Sequence, residues 1–131
     1  MIFVDTSVWV AALRSATGEE ARHLGMLLDA DEVALAAPVR VEILVGSSIQ
    51  ERPRLHRLLA ALPIFYPVGS TWDLIDSWID AASAAGESFG FAALLIGALA
   101  AQQEGAVWSL DSDFKRMAHV GLVKYYLPTG V

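Results

Sequence analysis

There is no cysteine among the 131 residues. Disulfides, thiolate metal sites and cysteine nucleophiles are excluded together, which fits a reducing cytoplasm, the expected location. Long apolar runs are missing too. The apolar fraction of 55% lies above the usual soluble range, yet it is spread through short stretches of Ala, Leu and Val, none near the ~18 consecutive residues of a membrane span. A soluble chain is expected, without membrane contact. Nor is a cleavable leader expected, because Asp5 interrupts the only early apolar segment and no basic residue precedes it. Cations are scarce, 9 Lys and Arg against 15 Asp and Glu, for a net charge of −6. That balance argues against a broad basic footprint for nucleic acid. It leaves a nuclease open, since carboxylates that converge on a divalent cation reverse the local sign. The three histidines, His23, His56 and His119, have no paired spacing, so surface or capping roles are expected and a zinc site is not. Hard oxygen ligands remain the best route to a metal.

What is present reads as strands alternating with helices, with the length of one domain, residues 1–131. Ile2 to Val4 is an apolar run that stops at Asp5, after which Thr6 and Ser7 precede a helical pattern carried by Val8, Ala11 and Ala12. Glu19 to Asp29 reads as a second helix, Val33 to Ala36 as a buried strand, Val39 to Ser48 as a helix opened by Pro38, and Glu51 to Leu62 as another. Arg52, Arg54 and Arg57 are taken as the solvated face of the last of these. Ile64 to Val68 is an edge strand, because Pro67 lacks the donor that a central ladder requires. Thr71 is the expected cap of a long helix that buries Trp72, Ile75, Trp78 and Ile79 and wets Asp73, Asp76 and Asp80. Phe89 to Gln103, apolar nearly all round, should lie in the middle of the domain. Val107 to Leu110 is a strand, Ser112 to His119 a helix, and Lys124 to Leu127 the last strand. The class is α/β with a largely parallel sheet. The four tryptophans, Trp9, Trp72, Trp78 and Trp108, are assigned to the core.

Two strands end in an acid followed by a small hydroxyl residue and a helix, at Asp5-Thr6 and at Asp111-Ser112. In an open parallel sheet, ligands gather at the carboxyl ends of the strands, so adjacent strands would bring Asp5 and Asp111 to one rim with Asp113 close behind. Glu42 lies in a helix between Val41 and Ile43, where an ionised carboxylate is expensive unless it is paired or bound to a cation. Three carboxylates without cysteine or histidine are the oxygen set that Mg²⁺ or Mn²⁺ prefers. The alternative is two helix caps and a glutamate that reaches solvent, and spacing alone leaves both open.

Val4-Asp5-Thr6-Ser7, Val41-Glu42-Ile43 and Val107-Trp108-Ser109-Leu110-Asp111-Ser112-Asp113-Phe114 together resemble the signatures of PIN-domain ribonucleases, most closely the VapC-type toxins of bacterial toxin–antitoxin pairs. The resemblance covers the whole chain. It implies a three-layer sandwich with strand order 3-2-1-4-5, an acid-lined cleft for Mg²⁺ or Mn²⁺, cleavage of RNA, a homodimer, and neutralisation by a cognate antitoxin. On that basis Asp5 is the principal metal ligand, Asp111 a ligand directly or through water, and Glu42 a ligand or the group that orients the attacking water. Asp113 is divided between outer ligand and cap, Thr6 and Ser109 hold carboxylates in place, and Arg14, Arg40, Lys115 and Arg116 are candidates for phosphate contacts.

One position departs from the pattern. Similar proteins open the buried helix with an aspartate just ahead of a Leu-Ile-Ala-Ala-like run, and here Ala93 precedes Leu94-Leu95-Ile96-Gly97-Ala98. The missing carboxylate should leave the other acids unable to order the ions and the chain inactive or impaired, through a substitution that silences a toxic enzyme or as a naturally degenerate member. The other function kept open is a non-catalytic module that grips antitoxin or RNA. An aspartyl-phosphate hydrolase of the haloacid dehalogenase type is disfavoured, because Ser7 stands where those enzymes carry a second aspartate.

Overall fold

The computed structural model describes residues 1–129. The elements run β1 (Ile2–Val4), α1 (Thr6–Arg14), α2 (Glu19–Asp29), β2 (Val33–Ala36), α3 (Ala37–Val45), α4 (Arg52–Ala60), β3 (Ile64–Phe65), α5 (Gly69–Ala84), α6 (Phe91–Gln102), β4 (Ala106–Trp108), α7 (Ser112–His119) and β5 (Lys124–Tyr125). All four strand pairings are parallel, in the order β3-β2-β1-β4-β5. Strand crossovers between parallel neighbours are right-handed. The connections from β1 to β2 and β2 to β3 step one way along the sheet, and those after β3 step back. Helices α1 to α4 therefore cover one face and α5 to α7 the other, giving the three layers expected. β1 lies at the centre, paired to β2 from Ile2 with Val33 and to β4 from Ile2 with Ala106 through Val4 with Trp108.

Three strands are shorter than their apolar patterns. β3 stops at Phe65 at the sheet edge, β4 at Trp108, and β5 at Tyr125. Beyond Trp108 the chain has left the ladder, and Leu110 points to solvent at 55% exposure.

The long helix α5 corrects two assignments. It begins at Gly69 with Val68 at its N-cap, so Thr71 is the third helical residue, its hydroxyl accepting from the Val68 N–H at 3.0 Å. Its buried face is Thr71, Ile75, Trp78 and Ala82, whereas Trp72 and Ile79 stay 42% and 48% exposed. Counting apolar bulk put Trp72 in the stripe. The helix is rotated instead to bury the hydroxyl of Thr71, which donates to Gln102 Oε1 at 2.6 Å and so carries no desolvation penalty. Trp72 stacks on the exposed Phe91, with ring centroids 6.1 Å apart. Trp9, Trp78 and Trp108 are core residues, and the Trp9 indole N–H is buried without a hydrogen-bond partner among the described residues.

Helix α6 is buried from Ala93 through Ala100. It lies against α5 and α7 in its own layer and reaches α3 at the sheet rim. Close approach is possible because residue 97 has no side chain: a Cβ there would meet Met117 Cε at 2.8 Å, Val123 Cγ1 at 3.1 Å and Trp78 Cζ3 at 3.3 Å. At Gly25, in the middle of α2, a Cβ meets nothing within 4 Å. Gly97→Val is expected to destabilise the fold by about 2–3 kcal/mol through overpacking. Gly25→Ala should stabilise it by roughly 0.5–1 kcal/mol, the ordinary helix penalty of glycine. Urea unfolding midpoints check both, and equal shifts of one sign would contradict this packing.

Candidate functional site

The sheet reverses direction between β1, whose connection leads toward β2, and β4, whose connection leads toward β5. Such a switch point leaves a crevice beyond the strand ends. Asp5 follows β1 directly and Asp111 lies three residues beyond the end of β4, so both stand at this crevice. A hollow of about 200 Å³ opens here, lined by Asp5, Thr6 and Ser7, by Glu42 of α3, by Ala92, Ala93 and Ile96 of α6, and by Asp111 and Phe114.

Both aspartates hold N-cap positions, but they use their side chains differently. Asp5 makes no capping bond to α1 although it precedes the helix. It is buried, and its Oδ2 accepts from Ser7 Oγ at 2.8 Å and from Ser109 Oγ at 2.7 Å. Each hydroxyl has one proton, so both are committed to Asp5. Their lone pairs accept from the backbone, Ser7 from the Leu110 N–H at 3.0 Å and Ser109 from the Asp111 N–H at 2.9 Å. The peptide after β1 is tied in as well, Asp5 N–H donating to the Trp108 carbonyl at 2.9 Å. Asp111 is exposed, and its Oδ1 caps α7 by accepting from the Asp113 N–H at 3.0 Å. Capping α7 engages one oxygen of Asp111, which also lines the hollow.

Of the two readings of Glu42, the one in which it reaches solvent describes its burial. It is exposed, as is its neighbour Val41, so its apolar flanks do not enclose it and burial creates no need for a cation. Its Oε1 accepts from Thr6 Oγ1 at 2.8 Å, which aims the carboxylate at the hollow from across the rim. Each of the three acids thus has one oxygen held by a hydroxyl or backbone donor, and the other oxygen has no hydrogen bond among the described residues.

Asp113 does not line the hollow. It is held by Arg116, which also bonds Glu87, and these two acids, Asp113 first, raise the guanidinium above its already high ordinary value. Arg116 also lies over the Phe89 ring, 5.0 Å from its centroid. With both forks engaged it is not a free phosphate contact, contrary to expectation. Arg40 is in contact with His56, and Arg14 is exposed at the far end of α1. Lys115 sits 5.8 Å over the Tyr125 ring. Ser7 is the residue the sequence did not single out; its place two positions after Asp5, on the first turn of a helix, was the available signal.

The fit to a divalent cation is incomplete. Hard, partly free carboxylate oxygens are the right donors for Mg²⁺ or Mn²⁺. However, among the described residues no three His, Cys, Asp or Glu side chains stand close enough together to hold a metal ion. The α6 wall, where a further donor would stand, presents Ala92, Ala93 and Ile96. This donor set does not complete a cation site.

No curated protein is recognisably similar in sequence. Solved structures share the fold. A chain of FitAcB from Neisseria gonorrhoeae is 22% identical with a TM-score of 0.75, over 98% of this chain and 98% of that one. A chain of VapBC2 from Rickettsia felis, solved with a DNA fragment from their promoter, is 18% identical with a TM-score of 0.76, over 96% and 98%. VapC20 from Mycobacterium tuberculosis, a sarcin-ricin loop cleaving toxin, is 18% identical with a TM-score of 0.61, over 88% and 94%. The family model described as PIN domain matches residues 2–120. With that match spanning nearly all of the sequence, and with the strand order in agreement, the chain belongs to the PIN domain family.

Proposed function

We propose that this chain is the VapC-type toxin of a toxin–antitoxin pair, an endoribonuclease fold that hydrolyses RNA phosphodiester bonds with Mg²⁺ or Mn²⁺, and that Ala93 leaves this sequence catalytically silent or impaired. The carrying observation is the hollow at the switch point, where Asp5, Glu42 and Asp111 stand on three walls and Ala93 on the fourth. Asp5, Asp111 and Glu42 would be the ligands, with an aspartate at 93 needed to complete them. Thr6, Ser7 and Ser109 act as positioning residues through the carboxylates they hold.

For RNA as substrate, support comes from VapC20, described as a sarcin-ricin loop cleaving toxin. For a cognate antitoxin, it comes from the structural neighbour solved as a toxin–antitoxin complex from Klebsiella pneumoniae. Val41, Val45 and Ile49 are exposed, at 54%, 77% and 77%, and offer apolar surface for an antitoxin or for the homodimer included in this proposal. Among the described residues no helix is long and apolar enough to cross a membrane, and we place the protein in the cytoplasm as one 131-residue domain. The second reading, a module that grips antitoxin or RNA without turnover, is favoured by the apolar α6 wall and describes the chain as it stands.

Ala93→Asp is expected to raise Mn²⁺ affinity by about 10–100-fold, the range over which one supporting group moves a metal site, and to produce cleavage of a fluorescent RNA that the parent chain leaves intact. Calorimetry with Mn²⁺ and the cleavage assay check this; a folded variant inert in both would overturn the nuclease proposal. In the Ala93→Asp background, Ser109→Ala should lower Mn²⁺ affinity and cleavage by roughly 10-fold or more, because Asp5 loses one of its two hydroxyl donors. Ser109→Thr, which keeps the donor, should restore part of that loss, and an unaffected Ser109→Ala would sink the positioning role.

A further inference from the structure

A second cavity lies apart from the carboxylate hollow. About 360 Å³ in volume, it lies between α2, the residues after β4, and β5 with the segment that follows. Its walls carry three aromatic rings, His23, Trp108 and Tyr125, with Met26 and Leu110 beside them. The rings are fixed by their own contacts: His23 Nε2 is 2.7 Å from Tyr126 Oη and its ring meets Trp108 edge-on, while Tyr125 Oη donates to the Ser109 carbonyl at 2.8 Å. Burial pushes the Tyr125 phenol above its ordinary value, so it remains a donor. Such a cavity is preorganised and falls at the small end of the ligand-site range, about 300–1,000 Å³. Nothing in the carboxylate chemistry uses it.

Its position relates it to that chemistry. Leu110 lines this cavity and Asp111, the next residue, lines the hollow. The two cavities therefore adjoin along the segment from Ser109 to Asp111. Ser109, also in the cavity wall, donates to Asp5. The charge pattern then selects the part of a nucleotide that enters. Glu19 and Glu20 outnumber Arg22 in the wall, which disfavours a phosphate and favours an edge rich in N–H donors. Lys115, over Tyr125, stands near for the phosphate that remains outside. Single-stranded RNA is read by splaying a base out against aromatic side chains and hydrogen-bonding its edge.

We infer that this cavity is a base-recognition subsite for the nucleotide next to the phosphate in the hollow, and that it selects guanine. Guanine presents two adjacent N–H donors on its pairing edge, the arrangement that matches both oxygens of one carboxylate. Uracil presents a single N–H between two carbonyls, which face Glu19 and Glu20 unfavourably. The inference rests on RNA being the substrate class, as proposed above.

The test is binding of two fluorescent hexaribonucleotides, oligouridine and the same strand with one central guanosine, to the full chain by anisotropy. The guanosine strand should bind about 10-fold more tightly, and both Glu20→Gln and Met26→Trp, which fills the cavity, should remove the difference. The Ala93→Asp variant assayed on the same strands should cut beside guanosine. Equal affinities, or a preference that survives both substitutions, overturn the inference. Cleavage by Ala93→Asp without base preference overturns it and leaves the ribonuclease proposal standing. Absence of RNA binding together with absence of cleavage removes both. If the two substitutions instead weaken binding of an arginine-rich peptide and leave RNA preference unchanged, the cavity serves a cationic side chain and the inference is wrong.

Discussion

Two serine hydroxyls converge on one oxygen of Asp5, and much of the rim depends on that convergence. Ser7 comes from the helix that follows the first strand and Ser109 from the residues after the fourth, so the bonds join two chain segments about a hundred residues apart. A buried carboxylate is costly unless it is satisfied, and here its satisfaction requires β1 and β4 to be neighbours with their ends aligned. The same hydroxyls accept from the Leu110 and Asp111 N–H groups, which fixes the peptide leading to Asp111. Asp5, Asp111 and the mouth of the larger cavity are therefore placed by one small hydrogen-bond network.

The opposite wall is held chiefly by packing, with Gln102 at its far end bonded to Ser70 and Thr71. α6 is buried on every side from Ala93 to Ala100, and Gly97 lets it approach Met117, Val123 and Trp78. Its first turn brings Ala92 and Ala93 into the wall of the hollow. An alanine there satisfies the helix and the core. It adds no carboxylate to the hollow, and the rim is left with three acids that do not form a metal cluster among the described residues. The family's fold and the apolar wall are thus fully compatible, while its chemistry asks for more than this wall provides.

Cations are few, and two of those considered for phosphate are already engaged. Arg116 is occupied by Asp113 and Glu87 and shelters Phe89, and Arg40 is in contact with His56. Lys115 remains, over the Tyr125 ring of the aromatic cavity. In an acidic protein, this division places acceptors where base edges or metal would be met and leaves a cation for the backbone beside them.

The alternation of strand and helix, the acids after the first and fourth strands, and the apolar character of the helix at Phe91–Gln102 were all legible in the chain, because period and punctuation are local properties. The reading of Ala93 as a departure rested on the family resemblance and not on local pattern. Local pattern misled where one helix face had to be chosen: Trp72 is bulkier than Thr71, yet Gln102, 31 residues away, makes the threonine the buried one. It left Glu42 and Asp113 open, and the contacts decided: Glu42 is exposed beside the exposed Val41, and Asp113 is held by Arg116. Sequence by itself determined which elements form and which residue types reach the ends of the strands. Only the tertiary structure decided which oxygen of each acid is already engaged, that Ser7 serves Asp5, and that a second cavity opens beside the first, because those facts depend on contacts between segments that share no local pattern.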